Sequence, residues 1–143
     1  MPSRLLRKSS ALALATSLYF GASSQAAPVH CPEQLNVDQR AVDLPTGLSA
    51  FDSANRHLWA NVQFSDGAPD QQAWLAPDHT RPTGKSFTSH WQFTPTTGGI
   101  WLACGYTGTS MVAAFRLPDA IRTCEVRYDG NVSPPAATAI DCR

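Results

Sequence analysis

Apolar and polar side chains alternate with a period of two in several stretches of this chain. From His57 to Phe64, Leu58, Ala60, Val62 and Phe64 fall on one side and Trp59, Asn61 and Gln63 on the other. From Ile100 to Thr107 the two sets are Ile100, Leu102, Cys104, Tyr106 and Trp101, Ala103, Gly105, Thr107. Period two is the signature of a pleated strand with one face buried. Shorter runs at Leu35–Val37, Ala73–Leu75, Ser89–Phe93, Thr123–Tyr128 and Ala139–Cys142 are also read as strands. Met111–Leu117 alternates as well, although its two alanines leave a short helix open as the alternative. Turn residues punctuate these runs at Pro45-Thr46-Gly47, Asp66-Gly67, Pro118-Asp119, Asp129-Gly130 and Pro134-Pro135. The polar run Asp78–Ser86, with Pro82 and Gly84, is expected to be an exposed loop. Ser89–Phe93 and Ile100–Thr107 are expected to form a hairpin around Pro95–Gly99. Short strands at frequent intervals predict an all-β domain, a small antiparallel sandwich or partly closed barrel.

The first 26 residues follow another pattern. Arg4, Arg7 and Lys8 precede an apolar run from Ala11 to Phe20, and Ser24-Gln25-Ala26 places small residues where a signal peptidase reads. The apolar run is short of the ~20 residues a membrane-spanning helix needs. Residues 1–26 are therefore expected to be a signal peptide and 27–143 a single domain, periplasmic or secreted. The small-residue motif of a lipoprotein does not precede Cys31, so no lipid anchor is expected. After Ala26 the chain carries eleven acidic and eight basic residues, a net charge of about −3. That balance argues against nucleic acid, which selects a basic stripe, and against anionic membrane surfaces.

Cys31, Cys104, Cys124 and Cys142 all lie beyond the leader, and an even number in an exported chain predicts two disulfides. Three pairings are possible. Cys31–Cys104 with Cys124–Cys142 is favoured because the first ties the N-terminal segment to the central strand and the second pins the C-terminal one. Cys104–Cys124 is the rival. On the loop-entropy account the favoured bridges contribute about 4 and about 3 kcal/mol. Zinc is not expected, since no two cysteines stand close enough for a ligand pair.

Catalytic motifs are hard to assemble. The exported part has no G-x-S-x-G elbow, no H-E-x-x-H and no phosphate loop. His30, His57, His79 and His90 stand singly, and Asp66 and Asp70 supply too few ligands for calcium. No cofactor is expected. Trp59 and Trp101 fall opposite the bulky sets of their strands, with Ala103 and Gly105 leaving room beside Trp101. They are candidates for an aromatic binding platform, extended by Gly105, Thr107, Gly108 and Thr109.

The combination of Cys31-Pro32, Asp66-Gly67 with Pro69 and Leu75-x-Pro77, Trp101-Leu102-x-Cys104-x-Tyr106-x-Gly108-Thr109, Leu117-Pro118 and the two late cysteines resembles a family of small exported bacterial proteins of unknown function. The resemblance implies export, disulfides and a place in the bacterial cell envelope. In size and cysteine use the chain is also similar to periplasmic inhibitors of cell-wall enzymes and to periplasmic immunity proteins. The expected function is a non-enzymatic binding module whose partner is an envelope protein or a cell-wall-acting enzyme. A structural envelope protein or a small periplasmic hydrolase is the alternative.

Overall fold

The computed structural model describes residues 29–52 and 55–143; the expected signal peptide lies outside them. Among the described residues nine strands follow one another: β1 (Gln34–Asn36), β2 (Arg56–Asp66), β3 (Trp74–Leu75), β4 (His79–Thr83), β5 (Ser86–Gln92), β6 (Ile100–Tyr106), β7 (Val112–Arg116), β8 (Thr123–Asp129) and β9 (Ala136–Cys142). Among the described residues the helical content is one 3-10 turn, Pro69–Gln71. The strands form two antiparallel sheets. One runs β1-β2-β6-β7, with β3 also pairing β2, and the other runs β4-β5-β8-β9. The all-β expectation holds, and Val112–Arg116 is a strand.

The inner faces of the two sheets share one core. Val62, Phe64, Leu102, Cys104 and Tyr106 come from the first sheet, Trp91, Cys124, Val126 and Ala137 from the second. Phe64 touches both Trp91 and Phe93, at ring-centroid distances of 4.9 and 5.1 Å. Two aromatic side chains of this interior pair their polar atoms with backbone carbonyls. The Trp91 indole donates to the Leu75 carbonyl at 3.0 Å, and the Tyr106 hydroxyl to the Pro32 carbonyl at 3.1 Å. Both favoured disulfides are present, Cys31–Cys104 and Cys124–Cys142. The second joins directly paired residues of β8 and β9.

Three expectations from the linear pattern give way to sheet geometry. First, β5 and β6 are not a hairpin: they belong to different sheets. Phe93 N–H still bonds the Arg122 carbonyl on the β8 side, whereas the Gly99 and Ile100 carbonyls already accept from Gly67 N–H on the β2 side and Leu117 N–H on the β7 side. The Pro95–Gly99 link therefore bridges the ~10 Å between sheets. Second, the polar run expected as a loop contains β4, paired with β5 from His79↔His90 to Thr83↔Ser86. All five β4 residues are exposed, so no alternation marks the strand, and an edge position accommodates Pro82 without a lost ladder bond.

Third, β2 does not keep one face. Trp59 pairs with Tyr106 but Asn61 pairs with Gly105, so Ala60 is the extra residue of a β-bulge. The bulge exchanges the two sides. Before it, His57 and Trp59 face the core; after it, Val62 and Phe64 do. Leu58, placed with Val62 by simple alternation, is 60% exposed. Among the described residues no helix is long and apolar enough to cross a membrane.

Candidate functional site

The bulge separates the two tryptophans. Directly paired residues of neighbouring strands share a face, so Trp59 lies on the side of Tyr106, against the core, where its indole donates to the Asn61 carbonyl at 3.0 Å. Trp101 pairs with Ser65 and with Arg116, on the outer face. The shared platform predicted from alternation is thus divided, one indole on each side of the sheet.

The rest of the predicted set is divided along the sheet. Thr107, Gly108 and Thr109 leave the far end of β6, six to eight residues from Trp101, or on the order of 20 Å and more along an extended chain. Their turn is held by His57. The imidazole Nδ1–H donates to the Thr107 carbonyl at 2.6 Å, and Gln39 Nε2 meets the other ring nitrogen at 3.5 Å. Thr107 N–H bonds the Leu58 carbonyl while Thr107 Oγ1 accepts from Leu58 N–H at 3.2 Å. Thr109 Oγ1 accepts from Met111 N–H at 3.1 Å. Gly105 is buried, and the space over its Cα is taken by the Asn61 amide. Beside this turn a shallow hollow is lined by residues 35–40 and 109–112.

Around Trp101 the arrangement is different. Its outer-face neighbours are the small residues Ser65, Ala103 and Ala114, with Gln63 and Arg116 exposed around them. Arg116 crosses over Gly99 and pairs with Asp119 at 2.8 Å. Immediately beyond lies a cleft of about 180 Å³ between the β5–β6 and β7–β8 connections. Its floor is Phe93, Ile100, Leu117 and Ile121; Thr96, Asp119 and Arg122 bring polar atoms to it. Arg122 is held against the Asp119 and Ile121 carbonyls.

Sheet register also assembles a group that the sequence pattern does not show. His79, His90, Glu125 and Asp141 are successive partners across β4, β5, β8 and β9. The two imidazoles stack at 4.2 Å, and His90 Nδ1 meets Glu125 Oε1 at 3.1 Å, with Arg143 3.5 Å from the same oxygen. These residues span 62 positions, so only the cross-strand register reveals them. They occupy the outer side of the sheet, opposite core-facing Trp91, Cys124 and Val126. The next residues on that side of β5 and β8 are Thr88, Gln92, Thr123 and Arg127, each ~7 Å along its strand. Among the described residues no group of three or more His, Cys, Asp or Glu is placed to hold a metal ion.

Comparison with known proteins places these features in context. A family model described as "Type VI secretion system Tli immunity protein" matches residues 53–143, which include β2 through β9, Trp101 and the cleft. An Azospirillum brasilense protein, described as an uncharacterized 16.3 kDa protein in the trpG 5′ region, is 31% identical over 122 residues. That alignment covers 78% of this chain and 81% of the relative. No solved structure matches the chain.

Proposed function

The chain belongs to the type VI secretion system Tli immunity protein family, and from that premise we propose that it is an exported, non-enzymatic binding module that neutralises a toxin effector by capturing it in the cell envelope. The observation that carries this reading is the family match across residues 53–143. The architecture supports it. Two sheets share one core and two disulfides staple them, a rigid scaffold of the kind that loses little entropy on binding. Disulfides persist in oxidising compartments, which agrees with removal of residues 1–26 during export. The contact surface we propose is the outer face around Trp101 with Arg116, since tryptophan and arginine are the residues most enriched at the energetic centres of interfaces. Trp59 and the Thr107–Thr109 turn are proposed to shape the scaffold.

The test is contact-dependent competition. A strain lacking this gene is expected to be outcompeted by a parent with an active type VI system, and a plasmid copy with its leader is expected to restore survival. A copy starting at Ala27 should not. Unchanged survival of the deletion strain would overturn the immunity reading. The His90–Glu125 pair favours hydrolysis as the second reading. Under capture, Glu125→Gln leaves protection intact; loss of protection with an unchanged melting temperature would favour a chemical role.

A further inference from the structure

The cleft beside Trp101 combines three properties. Its volume, about 180 Å³, is close to that of an apolar cavity that accepts one benzene-sized ring, about 150 Å³. Its floor of Phe93, Ile100, Leu117 and Ile121 is apolar. Thr96, which lines it, carries a buried Oγ1 with no hydrogen-bond partner among the described residues. An orphaned buried hydroxyl is costly, so it favours any ligand that can pair with it. To reach a ligand in the cleft the buried hydroxyl would have to turn about χ1 into another staggered well.

We propose that this cleft is an anchor pocket for one tyrosine side chain of a protein partner, its ring on the Phe93–Ile100–Leu117–Ile121 floor and its phenol paired with Thr96 Oγ1. Phenol and threonine hydroxyls each donate and accept, so the pair is satisfied in either sense. A phenylalanine would fill the same volume and leave Thr96 unpaired; an aliphatic side chain would leave part of the floor uncovered. The rim gives the partner a second handle. Asp119 and Arg122 on the lining offer it one group of each charge, Asp119 being already paired with Arg116. The identification of the partner as a toxin effector rests on the immunity reading; the chemistry of the pocket does not.

Two measurements separate these levels. In the first, the oxidised protein is titrated with p-cresol and with toluene, the side-chain analogues of tyrosine and phenylalanine, and backbone amide shifts are followed. Saturable shifts confined to residues 93–100 and 117–122 are expected, with p-cresol bound about fivefold more tightly, the factor one neutral hydrogen bond commands. Thr96→Val, close in shape but without the hydroxyl, should bring p-cresol to the toluene affinity while toluene binding stays unchanged. Equal affinities for both probes in the wild type, or shifts located elsewhere, would overturn the assignment. In the second, Ile121→Trp fills the cleft from its rim, with melting temperature and p-cresol titration as controls for folding and occlusion. Protection in competition should fall while the protein stays folded. Full protection by a folded, p-cresol-blind Ile121→Trp would overturn the anchor role. If Ile121→Trp does not fold, Thr96→Val is scored in the same assay, with reduced protection expected and full protection again overturning the role. Failure of the wild type to protect would strike the immunity reading, and the titration would still decide the pocket.

Discussion

Leu58 and Phe64 would share a face if β2 alternated without interruption, yet one is 60% exposed and the other fully buried. Phe64→Ala is expected to cost about 3–5 kcal/mol, since it removes a ring packed between Trp91 and Phe93. Leu58→Ala should change stability by no more than ~0.5 kcal/mol, as for other exposed sites. Denaturant unfolding of the two variants checks the bulge directly, because an unbroken strand would make both costly. The tyrosines give a second residue-level test. Burial raises the pKa of Tyr106 and of Tyr128, whose hydroxyl also meets the Val62 carbonyl at 3.3 Å. In the unfolded chain tyrosine titrates near 10, so there the protons leave first. The stability linked to these groups is present in full below about pH 10 and is lost as pH rises through the higher folded values. Absorbance at 295 nm should show delayed phenolate formation in the folded protein, with the unfolding midpoint falling over the same range.

At the scale of elements, turns pack against turns. Gly130, at the end of β8, lies so near the Lys85 carbonyl of the β4–β5 turn that a Cβ there would collide with backbone. A flexible side chain could move aside; a peptide group moves only with its hairpin. Gly130→Ala is therefore expected to cost about 1–3 kcal/mol, read as a lowered melting temperature. The pairing of β4 with β5 is also why a run of exposed polar residues is ordered: its stabilisation comes from ladder hydrogen bonds and cross-strand contacts such as the His79–His90 stack. Neither leaves a hydrophobic period to read.

For the whole molecule, the two ends of β6 have different surroundings. The Thr107–Thr109 end is knitted to β2 through His57 and Leu58, whereas the Trp101 end presents a half-buried indole and an arginine on the outer face, with the cleft opening between the adjoining connections. Trp101→Ala is expected to weaken capture of the proposed effector by about 2 kcal/mol or more, roughly 30-fold in affinity, with the melting temperature preserved. Effector pull-down beside thermal unfolding checks it. Unchanged capture would move the anchor elsewhere, and collapse of the melting temperature would make Trp101 a residue of the scaffold.

What the sequence determined by itself is what local chemistry encodes. Alternation at Ile100–Tyr106 marks the central strand, Asp66-Gly67 and Asp129-Gly130 mark turns, and four cysteines give two bridges whose favoured pairing the fold contains. Three further facts depended on the tertiary structure. Ala60 is the bulge because β2 must match β6 at both of its ends, and that register slip sends Trp59 inward. Ile100–Tyr106 pairs with β2 and not with the nearer β5 because backbone hydrogen bonds and a shared interior select partners over distances that no local period records. The same selection lines up His79, His90, Glu125 and Asp141 and closes the cleft between two loops. Side-chain alternation reports which face a residue takes along an unbroken strand; which strand lies beside it is decided by the joint burial of both sheets.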